Sequence, residues 1–66
     1  GLYKHYKGGR YEVIGVAFHS ETLEEVVIYR EEYGAHLLCV RPLKMFLEKV
    51  IKNGKFLRRF DFIGYK

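Results

Sequence analysis

In HYKGGRYEV, residues 5–13, a Gly-Gly pair stands between two runs in which aromatic or aliphatic side chains alternate with polar ones. Alternation with period two marks a pleated strand, and glycine takes the positive φ that a tight hairpin demands. Residues 3–7 and 10–18 therefore read as the two arms of an antiparallel hairpin. The second arm, RYEVIGVAF, holds Gly15 at its middle, a position that marks a bulge or sharp bend in a strand.

The same grammar runs on. HSETLEE, residues 19–25, is a polar loop in which Ser20 and Thr22 can bond nearby amides. VVIYRE, residues 26–31, reads as a third strand, YGAH as a turn and LLCVR, residues 37–41, as a fourth strand. Pro42 lacks an N–H and suits the first turn of a helix. In PLKMFLEKVI the apolar residues Leu43, Phe46, Leu47 and Val50 recur at helical spacing, so a short helix follows. Asn53-Gly54 then signals a turn before a last strand in FLRRFDFI.

A chain of 66 residues has room for one core, so residues 1–66 read as a single domain. With 48% hydrophobic and 30% charged residues it is a folding composition and not that of a disordered tail. About five short strands in so little chain bury one face best by curling. The expected fold is mainly β: a small SH3-like antiparallel barrel with one short helix before the last strand. One cysteine excludes an internal disulfide, and no apolar run is long enough to span a bilayer, so a cytoplasmic protein without membrane attachment is expected.

Taken together, YKHYKGGRYEV, HSETLEEVVIYR, YG, VRPLKMF and RF resemble, in order and spacing, a bacterial family known only as domain of unknown function 1653. The resemblance spans about residues 2–60. It implies an SH3-type barrel and brings no established activity, cofactor or partner. The family-like positions include His5, Tyr6, Gly8, Tyr11, His19, Glu21, Tyr29, Arg30, Tyr33, Arg41, Pro42, Phe46 and Phe60. Cys39 and Arg58 depart from it, standing where relatives commonly carry Trp and Pro.

Chemistry is sparse. His36 and Cys39 are the nearest pair of metal-ligand types, but residues three apart on a strand face opposite sides, so no metal or cofactor is expected. Ser20 beside His19 lacks the geometry of a nucleophile and its base, since neighbours on extended backbone point apart. What remains is charge and rings. Residues 1–33 carry four basic and six acidic groups, whereas 34–66 carry eight basic and two acidic. Around the first hairpin stand Tyr3, Lys4, His5, Tyr6, Lys7, Arg10 and Tyr11, and the last strand adds Arg58 and Arg59. Rings stack on bases and cations hold phosphates, so the leading reading is a non-catalytic module that binds nucleic acid. Arg30 and Arg41, in neighbouring strands, and His19 and Glu21, in the polar loop, are further ligand contacts. The alternative is an adaptor that receives a peptide segment. A third reading is an enzyme-like pocket around His19, Glu21 and Arg41.

Overall fold

The computed structural model describes residues 1–65; Lys66, the last residue of the expected domain, lies outside the described residues. Four strands come first: β1 (Leu2–His5), β2 (Arg10–Phe18), β3 (Glu25–Glu31) and β4 (Leu38–Pro42). A single helical turn, α1 (Leu43–Phe46), leads into β5 (Lys49–Lys52), β6 (Lys55–Arg58) and β7 (Phe60–Gly64). Five strands form one antiparallel sheet in the order β4-β3-β2-β1-β7, while β5 and β6 pair only with each other. Among the described residues no helix is long and apolar enough to cross a membrane.

The first hairpin forms as its sequence predicts, with a four-residue loop. The His5 carbonyl accepts from Gly8 N–H at 2.8 Å, which places Tyr6 and Lys7 at the centre of the turn and not the glycines. Gly8 follows at φ 108°, a conformation that side chains resist. Gly9 is held small for another reason: a Cβ there would lie 3.1 Å from the Tyr11 hydroxyl and 3.2 Å from the Tyr33 ring. The bulge expected near Gly15 is present, the β2–β3 register shifting between Val13 and Gly15.

The sheet's hydrogen bonds do not close. In place of the expected closed barrel, β4 and β7 are end strands, four intervals apart, which on a flat sheet would separate them by about 19 Å. Yet the Arg41 guanidinium, from β4, lies 5.3 Å from the centre of the Phe60 ring, on β7. Side chains of that length do not span a flat sheet, so the sheet is rolled. Phe46 from α1 stacks on Phe60 at 4.3 Å, almost parallel, and is buried with it. Val27, Tyr29, Phe46 and Phe60 form the buried core, with Tyr3, Tyr11, Val13, Cys39 and Leu43 half-buried against it.

Two elements depart from the sequence reading. The helix stops after one turn, because Val50 and Ile51 are β-branched and pair with Leu57 and Phe56 across the Asn53-Gly54 turn. Both turn residues hold positive φ, 53° and 75°, as a two-residue hairpin of this twist requires. The run expected as one last strand breaks at Arg59 into β6 and β7, giving seven strands among the described residues in place of about five. Arg59 N–H donates to the Glu48 carbonyl, and the Arg59 guanidinium meets Glu48 Oε1 at 2.8 Å. These two bonds extend the β5–β6 ladder by one pair and close the hairpin at its base.

Candidate functional site

Register decides which of the predicted residues meet. Tyr3 lies opposite both Tyr11 and Phe62, and His5 opposite Phe60, so these side chains share the concave face. The Phe60 ring is the hub: Tyr11 approaches it edge-on at 5.5 Å, His5 at 4.9 Å, and Arg41 covers it. Tyr11 also meets Tyr29 at 5.2 Å and shares a 2.7 Å hydroxyl–hydroxyl hydrogen bond with Tyr33. That bond holds the Tyr33 phenol above its ordinary range. Much of the aromatic content is thus core. Tyr29 is buried, Tyr3, His5, Tyr6 and Tyr11 are half-buried, and Tyr33 is exposed.

His5 Nδ1 accepts the Lys7 N–H at 3.1 Å, which leaves the proton of the neutral ring on Nε2. Burial, and then the positive charges of Arg41, Arg59 and Lys7, hold this imidazole below its ordinary 6.5. Anionic groups would be welcome beside it.

The predicted proximity of the first hairpin to the last strands is realised, because β1 pairs with β7. Tyr6 N–H donates to the Arg59 carbonyl at 3.0 Å, fastening the turn to the β6–β7 junction. Between them opens a cleft of about 290 Å³ lined by Lys4, His5, Tyr6, Leu57, Arg58, Asp61 and Ile63. Lys7 stands 5.8 Å from the Tyr6 ring, and Arg10 lies opposite Lys4 in the ladder, both exposed. A second cleft, of about 340 Å³, opens on the other side and is lined by Tyr3, Phe46, Leu47, Lys49, Arg58, Phe60 and Phe62. Arg58 borders both.

The other predicted residues lie apart. β2 runs about 27 Å from Arg10 to Phe18, so His19 and Glu21, in the loop beyond it, are remote from the hairpin. His19 Nδ1 accepts the amides of Glu21 and Thr22, and Thr22 Oγ1 accepts that of Glu24, so His19 with Thr22 ties this loop where Ser20 and Thr22 were expected to. None of the described cavities is lined by His19, Glu21 and Arg41 together. Arg30 pairs with Leu38 and Glu12, and Arg41 with Val27, three residues along β3. An odd offset puts the two guanidiniums on opposite faces. Arg59 is engaged by Glu48. Among the described residues no three His, Cys, Asp or Glu side chains group as metal ligands.

Sequence reasoning missed the β5–β6 hairpin. Residues 49–58 carry Lys49, Lys52, Lys55 and Arg58 and no carboxylate. Its cross-strand pair Ile51 and Phe56 is 68% and 74% exposed. The signal was available, since KVIK and KFLR flank Asn53-Gly54, but the apolar spacing upstream favoured a helix.

This arrangement has relatives. The sequence matches the family described as Protein of unknown function (DUF1653) over residues 1–62. No curated protein matches the chain. Among solved structures, a crystal structure of a protein belonging to DUF1653 from Bordetella bronchiseptica is 37% identical, with a TM-score of 0.92 over all of this chain and 87% of the other. With the family's sequence matched over nearly its whole length and the same fold found in a member, the chain belongs to the DUF1653 family.

Proposed function

We propose that this domain is a non-catalytic module that binds nucleic acid through the surface joining the first hairpin to β6. The observation that carries this reading is the Lys4–Tyr6–Arg58 cleft. Arg58 of β6 converges there with Lys4 and Tyr6 of the first hairpin, giving two cations and a half-exposed ring beside one carboxylate, Asp61, with Lys7 and Arg10 nearby. Cations on such a surface displace counterions from a phosphate backbone, and rings stack on bases. A rolled sheet with a helical turn before its last strands also supports an SH3-like architecture, and the cysteine usage fits a cytoplasmic protein. Labelled single- and double-stranded DNA and RNA, titrated at low and moderate salt, test the reading. Binding that weakens as salt rises is expected; no binding at tens of micromolar in low salt removes it.

One observation favours the peptide-binding alternative. β4 is an end strand whose outer edge is unpaired in the sheet, with Leu38 and Val40 exposed, and such an edge can accept an added strand. A pull-down that survives nuclease and high salt would favour it over nucleic acid.

A further inference from the structure

The β5–β6 hairpin is the part of the molecule least explained by stability. It pairs with no other strand, and a two-stranded ribbon on its own is marginal in water. Its most apolar pair nevertheless faces solvent. Period two puts Lys49, Ile51, Phe56 and Arg58 on one face of the ribbon, the cation pair Lys49 and Arg58 being one step from the apolar pair. Lys49 and Arg58 also line the second cleft, where Tyr3 and the half-exposed Phe62 supply further rings. The face therefore runs ring, cations, rings, from Phe56 through Lys49 and Arg58 to Phe62.

We propose that this face is a track for single-stranded nucleic acid, with bases stacking on Phe56 and Phe62 and phosphates held by Lys49 and Arg58. The proposal rests on the nucleic-acid reading above and names the class of strand and the residues that meet it. Charge selects a polyanion, because the hairpin offers four cations and no carboxylate. Exposed rings select unpaired bases. A β-ribbon can enter the major groove of a duplex, but it reads base edges there through polar side chains, whereas Ile51 and Phe56 have no donor to offer. An unpaired base presents its whole face to a ring. Arg58 belongs to both clefts, so a strand leaving Phe62 is directed on toward Lys4 and Tyr6.

Fluorescence anisotropy with a short labelled oligothymidylate, and with the same strand annealed to its complement, tests this on the intact chain. The single strand is expected to bind more tightly than the duplex. Phosphate contacts by Lys49 and Arg58 at about 0.7 each give a log–log salt slope of about −1.4, which Arg58→Ala reduces by about 0.7. Phe56→Ala is expected to weaken single-strand binding about tenfold. Phe56 is exposed, so this variant should melt with the wild-type protein by circular dichroism. Wild-type affinity in Phe56→Ala, or a duplex bound as tightly as the single strand, overturns the track while leaving the broader reading in place. Capture by phosphatidylserine vesicles but by no oligonucleotide assigns the hairpin to an anionic membrane surface and overturns both. Absence of all nucleic-acid binding does the same.

Discussion

Phe60 and Phe56 are four residues apart and opposite in fate. Phe60 is 5% exposed, stacked by Phe46 and ringed by Tyr11, His5 and Arg41; Phe56 is 74% exposed on a ribbon closed at its base by Glu48 and Arg59. One ring is used to make a core in a chain with few positions to spare. The other is held out of it, at a cost in hydration that folding does not recover. The contrast teaches that aromatic content in a small domain cannot be assigned to stability or to binding as a whole, only ring by ring.

The largest effect expected is on the buried side of that contrast. Phe60→Ala removes the ring on which sheet and helical turn meet and should cost about 3–5 kcal/mol, enough to unfold much of the population. Phe56→Ala should stay within about 0.5 kcal/mol. Urea unfolding of both variants measures the gap, and equal losses would erase the distinction.

Gly8→Ala should cost about 1–3 kcal/mol, because its φ of 108° is strained for any side chain although space is open around it. The loss should appear in the midpoint with little change in the slope of unfolding on urea.

Glu48→Gln should cost at most about 1 kcal/mol, as half of the Glu48 side chain is in water. Its sharper signature is local. Amide exchange should quicken in β5 and β6 and hold its rate in β2 and β3, and uniform quickening would mean that the hairpin is integral to the core.

The smallest effect expected is the acid response of His5. Its folded value is held below 6.5, so between that value and 6.5 the unfolded chain binds more protons. Stability is full above 6.5 and falls as the pH drops below it. Urea midpoints measured across this window should fall with pH in the wild-type protein and less in His5→Gln. An NMR titration of the His5 ring above 6.5 would contradict the positive surroundings of Arg41, Arg59 and Lys7.

Where the sequence was legible, the signal was local. Gly8 with its flanking alternation marks the first hairpin, Gly15 the bulge, and Arg10–Phe18 coincides with β2 to the residue. Leu43, Phe46, Leu47 and Val50 misled, because helical spacing over so short a span also fits one helical turn followed by a strand. Of the predicted contacts, Tyr6, Lys7 and Arg10 stand together at the first hairpin with its cleft. His5, Tyr11 and Arg41 surround Phe60 and Tyr3 meets Phe46 and Phe62, while Arg30, His19 and Glu21 lie elsewhere.

Turn chemistry and strand length followed from the residues alone, because a φ preference belongs to one residue and alternation to its nearest neighbours. Whether a ring is buried was left to the tertiary structure. Burial depends on partners far along the chain, as when Arg41 and Phe46 close over Phe60 and nothing closes over Phe56.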